Sequence, residues 1–145
     1  MKKLALATLL AGASLAAFAQ STPVGLWKTI DDETNKEKSY VRIADAGGGR
    51  LLGKVEKIID PAKQDAKCDK CTDDRKDKPI LGMVLFAGAK QDADDKDIWG
   101  ETQILKPEDG KLYKLRLKML DGGRKLQVRG YLGPFYKTQE WLRAE

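Results

Sequence analysis

No histidine occurs anywhere in the 145 residues, and cysteine occurs only twice, at Cys68 and Cys71. Without histidine, neither a Ser-His nor a Cys-His nucleophile pair can form within the chain. Beyond residue 19 the only serines are Ser21 and Ser39, and neither stands in a nucleophile motif. After the first 19 residues no apolar stretch approaches the roughly 20 residues of a spanning helix, so no stable membrane span is expected.

What is present at the start is an address. Met1-Lys2-Lys3 precedes an uncharged apolar run from Leu4 to Ala19 that closes on Ala17-Phe18-Ala19. A short basic head, an apolar middle and a small-x-small end make a signal peptide cleaved after Ala19. Position 20 is Gln, not the Cys a lipid anchor requires. The expected organisation is therefore a leader over 1–19 and one domain over 20–145, located in the periplasm or secreted. The domain would hold 25 basic and 22 acidic residues, a net charge of +3. So even a balance makes a mixed surface and gives no reason to expect a nucleic-acid partner.

Strand signals recur along this domain, separated by turn chemistry. Gly25 to Ile30 and Ser39 to Ile43 read as strands flanking a polar turn with Asn35. Asp45-Ala46-Gly47-Gly48-Gly49 reads as a hairpin turn, because glycine tolerates positive φ. Arg50 to Ile59 follows as a strand, with Gly53 as a bend or bulge. Ile80 to Ala89 and Ile98 to Leu105 are further strands. From Leu112 to Leu120, Tyr113, Leu115, Leu117 and Met119 alternate with Lys114, Arg116 and Lys118, the period of a half-buried strand. Lys125 to Leu132 repeats the alternation, Gly133-Pro134 breaks it, and Lys137 to Arg143 ends the series. About eight strands joined mostly by short hairpins give an all-β antiparallel meander. Such a sheet closes into a barrel or packs as a sandwich; the barrel is preferred.

Pro61 to Pro79 carries six Lys and Arg, five Asp and both cysteines, without apolar periodicity, and reads as a long surface loop. Cys68-Asp69-Lys70-Cys71 admits a local disulfide, a redox centre or half of a metal site. Oxidising conditions outside the cytoplasm favour the disulfide. The missing histidines leave zinc short of ligands, and no strand–helix unit lowers a thiol pKa as redox centres require. Asp92, Asp94, Asp95 and Asp97 resemble a calcium loop only in charge: counted from Asp92, the fifth and sixth places hold Lys96 and Asp97 where an EF-hand needs an oxygen ligand and Gly. They read as a solvated turn. No metal and no cofactor is expected.

Gly25-x-Trp27 opens the first strand and Trp141-Leu142-Arg143 ends the last. In a closed barrel those strands are neighbours, so Arg143 is expected to stack on Trp27 and plug one end. This pair resembles the closure signature of lipocalin-like barrels. A wider resemblance rests on Gly25-Leu26-Trp27-Lys28-Thr29, Pro79-Ile80-Leu81-Gly82-Met83, Arg129-Gly130-Tyr131-Leu132-Gly133 and Trp141-Leu142-Arg143, with Trp99-Gly100 to Pro107 and Gly110-Lys111-Leu112-Tyr113 similar as well. On these segments the chain resembles a bacterial exported family catalogued as domain of unknown function 2147. It departs from that pattern at Gln103 and Lys106. The resemblance implies a lipocalin-like barrel outside the cytoplasm and supplies no activity.

For function, the leading expectation is a binding protein that holds a small, largely apolar or amphiphilic molecule in the cell envelope. Its site would draw on Tyr113, Leu115, Leu117 and Met119, with Arg129 and Tyr131 as polar anchors if their face lines the cavity. The alternative for Arg129 is an outward, solvated stripe shared with Lys125 and Gln127. A second reading is an envelope protein–protein module with a filled interior, touching a partner protein through the Cys68–Cys71 loop. The third, an enzyme using two of Asp31, Asp32, Glu56, Glu101 and Glu140, ranks last, and no catalytic residue is assigned.

Overall fold

The computed structural model describes residues 22–145 and the isolated Gly12. The expected cleavage after Ala19 and the mature start at Gln20 lie outside the described residues.

Alternation of apolar and polar side chains dominates the chain, and the backbone follows it. The strands are β1 (Gly25–Ile30), β2 (Glu37–Asp45), β3 (Leu51–Ile58), β4 (Val84–Gln91), β5 (Ile98–Gly100), β6 (Gln103–Lys106), β7 (Lys111–Leu120), β8 (Lys125–Leu132) and β9 (Phe135–Arg143). Every pairing is antiparallel. The ring closes because β9 pairs with β1, and β5 pairs with both β4 and β7. β5 and β6 are one strand interrupted at Glu101-Thr102, where Glu101 takes a φ of 61°. Counting them together gives a closed eight-stranded meander barrel, the preferred expectation.

Period two decides which side chains fill it. On β7, Tyr113, Leu115, Leu117 and Met119 are buried while the residues between them reach the surface. Leu126 and Val128 on β8, Val41 and Ile43 on β2, Phe86 on β4 and Trp27, Trp99 and Trp141 are buried in the same core. The bend expected at Gly53 is present as register shifts on both sides of that residue.

Besides that interruption of the strand read from Ile98 to Leu105, two local expectations change. The strand read from Ile80 begins only at Val84, because Met83 donates its amide to the Ile80 carbonyl and closes a turn through Gly82. That turn still latches onto β3, through Gly82 to Val55 and Val55 to Met83. The segment from Pro61 to Pro79 is not a free surface loop. Its lysines and aspartates reach solvent, but Cys68 and Cys71 form a disulfide inside the core, 0% and 2% exposed. The segment folds back on itself through Cys68 to Lys78, Asp77 to Cys68 and Ile80 to Ala66. It then sits on the turn between β6 and β7: Gly110 has a φ of +70°, and a Cβ there would run into the Lys70 carbonyl. A charged sequence thus encloses an apolar cystine, a three-dimensional fact with no local pattern.

Candidate functional site: the open end of the barrel

The two ends of the barrel differ. At the base, the Arg143 guanidinium stacks over Trp27 and donates to the carbonyls of Gly123, Val24 and Thr22. Trp27 donates its indole N–H to the Pro23 carbonyl at 2.7 Å. Gly25 takes a φ of +144°, and a Cβ there would stand 2.6 Å from Arg143 Nη1. That approach explains the glycine two residues before the tryptophan. This end is shut.

At the other end the strands part around a cavity of about 120 Å³. Its apolar wall comes from Val55, Leu85, Leu105, Val128 and Trp141, with Ile80, Ile104 and Tyr113 toward the opening. Thr29 and Ser39, joined hydroxyl to hydroxyl at 2.7 Å, add the polar groups of one side. Charges stand at the rim: Lys38, Lys106 and Lys137, against Asp32 and Glu108. Lys38 touches Glu108. Burial pushes the Lys38 ammonium below its usual range, although Asp31 and Asp32 pull it the other way. Desolvation therefore acts on a cation that faces an apolar hollow.

Tyr113 donates its hydroxyl to Asp109. Burial and that carboxylate push the phenol up to about 12. Burial pulls the Asp109 carboxyl up, yet the Tyr113 hydroxyl and the Lys111 amide outweigh it and hold the group low. Asp109 belongs to the turn that carries Lys106 and Glu108, so this bond fixes one side of the mouth.

The residues singled out from sequence separate into three places. Tyr113 lines the cavity. Leu115, Leu117 and Met119 lie in the filled interior and are not part of its wall. Arg129 and Tyr131 stand on the outer face, because Val128 and Gly130 take the inward positions of β8. There Arg129 donates to Thr138 Oγ1 at 2.9 Å and packs over the Tyr136 ring at 4.6 Å. Tyr131 is held low by Arg129, with help from Arg116. Neither points into the cavity. The rim lysines carried no signal in the sequence, since they come from three separate strand ends.

The candidate carboxylates are dispersed. Only Asp32 of the five lines the cavity. Asp31 accepts amides from Glu33 and Thr34, Glu56 pairs with Arg42, Glu101 stands at the strand break, and Glu140 faces outward on β9. Asp92 and Asp95 spend their carboxylates on amides of their own turn. Among the described residues no three potential metal ligands converge.

Residues 25–143 match the model of a family described as an uncharacterized protein conserved in bacteria, DUF2147. The chain belongs to this family. No curated protein matches the sequence. Among solved structures, this DUF2147 barrel is similar to a Helicobacter pylori protein, HP1028, described as belonging to the lipocalin family. The likeness has a TM-score of 0.69 at 19% identity, over 84% of this chain and 82% of the other. It bears on the fold alone: a lipocalin-like barrel, shut at the Trp27–Arg143 end and open at the other. No helix among the described residues is long and apolar enough to cross a membrane.

Proposed function

We propose that this DUF2147 protein is a binding protein rather than an enzyme, and that the open end holds the apolar part of a small acidic amphiphile. The observation that carries the reading is the pairing of an apolar wall with a rim that has one more cation than anion. Small-molecule sites combine such a wall with a few placed polar groups. At about 120 Å³ the cavity is smaller than the roughly 300–1,000 Å³ of drug-sized sites, so the guest is short: a medium-length acyl chain or one ring. Its acidic head would lie among Lys38, Lys106 and Lys137. We place this role outside the cytoplasm, in the periplasm or beyond; the leader pattern and the Cys68–Cys71 bond both suit an oxidising compartment.

Calorimetric titration with octanoate and with octanol tests the reading. Octanoate should saturate one site, and octanol should bind more weakly. Val128→Phe, or Ile104→Trp at the rim, should abolish both while leaving the circular dichroism unchanged. Absence of octanoate binding, or binding unaffected by both substitutions, refutes the proposal. A second reading draws support from the interior below the cavity, which Leu115, Leu117, Met119 and Trp27 fill. It makes the protein an envelope interaction module without a guest, and the same null titration would favour it.

A further inference from the structure

The β8–β9 hairpin ends in exposed apolar residues. Phe135 is 76% exposed, Tyr136 59% and Leu132 43%, around the Gly133-Pro134 turn. Nothing in folding demands a phenylalanine there, and single exposed apolar residues are ordinary. Three together on one tip, backed by cations, are not.

The outer face behind the tip is ordered by strand register. Lys114, Tyr131 and Tyr136 lie side by side across β7, β8 and β9. Two residues further back, Arg116, Arg129 and Thr138 form the next row. Among the described residues, Lys114, Arg116 and Arg129 make no ion pair with a carboxylate. The acids bordering this face are Glu140, one row behind Thr138 on β9, and Asp92, Asp94 and Glu101 across an open groove beside β5. Asp92 accepts two amides of its own turn. Moving back from the tip, the Leu132–Phe135 pair comes first, on the mouth side, followed on the outer face by Tyr131 and Tyr136 with Lys114 beside them, and then by Arg116 and Arg129.

That order matches the depth profile of a bilayer surface. Apolar side chains gain from the acyl boundary, tyrosine suits the headgroup level, and Lys and Arg suit lipid phosphates. We propose that the β8–β9 hairpin docks on anionic phospholipid bilayers, with Leu132 and Phe135 inserted, Tyr131 and Tyr136 at the headgroups, and Lys114, Arg116 and Arg129 against the phosphates. The mouth of the cavity lies at the same end, since Gly130 and Lys137, just behind the tip, line it. Docking therefore turns the mouth toward the membrane, where amphiphiles are found. The docking does not depend on the cavity's having a guest.

Co-sedimentation of purified protein with vesicles tests this. Binding is expected to vesicles containing phosphatidylglycerol, to weaken as salt rises, and to be absent with phosphatidylcholine alone. Phe135→Ser should lower the partition coefficient about tenfold, a loss of about 1.4 kcal/mol. Arg129→Gln should lower it and flatten the salt dependence. Lys54→Gln, an exposed cation on the opposite wall, should change nothing. Val128→Phe should still bind vesicles, which separates this result from the octanoate titration. No binding to anionic vesicles overturns the proposal and leaves the tip to a protein partner. So does equal binding by Phe135→Ser, or a loss with Lys54→Gln as large as with Arg129→Gln.

Discussion

The Arg143 guanidinium carbon lies 4.3 Å from the centre of the Trp27 ring, at residues paired across the seam that closes the barrel. The same guanidinium ties down the backbone at Thr22, Val24 and Gly123. One side chain thus joins the chain's first strand, its last strand and the turn before β8.

Arg143→Ala removes a cation–π partner and the charge-assisted bonds to the Gly123, Val24 and Thr22 carbonyls, and leaves those carbonyls short of donors. A loss of about 2–4 kcal/mol is expected, read as a lower midpoint in urea unfolding with an unchanged slope. Arg143→Lys should recover only part of it, because an ammonium cannot stack on the ring and reach three carbonyls at once. A variant as stable as the parent would show that the seam closes without this plug.

The cystine gives a second test. Closing so short a ring accounts for about 2 kcal/mol by loop entropy. Because both sulfurs are buried, Cys68→Ser with Cys71→Ser also places two hydroxyls in the core, each costing about 1–3 kcal/mol if unpaired. The double serine variant should therefore be markedly less stable than a double alanine variant. Equal stabilities would mean that the loop lifts away once the bond is gone. Thiol titration of the untreated protein should find no free thiol.

Tyrosine ionisation gives a third. The four tyrosines are Tyr40, Tyr113, Tyr131 and Tyr136. Phenolate absorbance should show Tyr131 ionising below the ordinary 10.0 and Tyr113 well above it, at about 12. A raised phenol stabilises the fold fully below the unfolded value, and that contribution is lost as pH rises through the folded one. Tyr113→Phe should delete the late step and flatten the alkaline limb of the stability profile. If the late step survives the substitution, the Tyr113–Asp109 bond is not its cause.

How far the sequence reaches depends on whether its signals are local. Alternation from Tyr113 to Met119 placed those side chains inside, and the turns at Gly47–Gly49, Gly110 and Gly133-Pro134 set the hairpins, because both patterns act over a few residues. The Trp27–Arg143 contact was legible from a motif at each terminus. The break at Glu101 was not, since glutamate gives no hint of a positive φ. Nor was the burial of Cys68 and Cys71, which depends on a loop meeting Gly110 from another part of the chain. The cavity rim was invisible for the same reason: Lys38, Lys106 and Lys137 belong to β2, β6 and β9 and meet only when the barrel closes.

The last prediction concerns that rim. Lys38 is desolvated, so its ammonium loses its proton at lower pH than an ordinary lysine. Below that folded value the cation is present, and a bound carboxylate would stabilise it. Octanoate affinity should therefore fall as pH rises through the depressed Lys38 value, before ordinary lysines titrate. Anion binding should raise that value again, so calorimetry in buffers of different ionisation enthalpy should reveal proton uptake near it. The groups acting on Lys38 are Asp31, Asp32, Glu108, Lys63 and Lys106. Lys38→Met should weaken octanoate about tenfold or more, as loss of a charge-assisted bond implies. It should leave octanol unchanged and erase the pH dependence. Lys106→Gln should weaken octanoate less, while removing a like charge that holds the Lys38 value low. Were octanoate affinity flat across the alkaline range in the parent protein, Lys38 would not be the group that meets the acidic head.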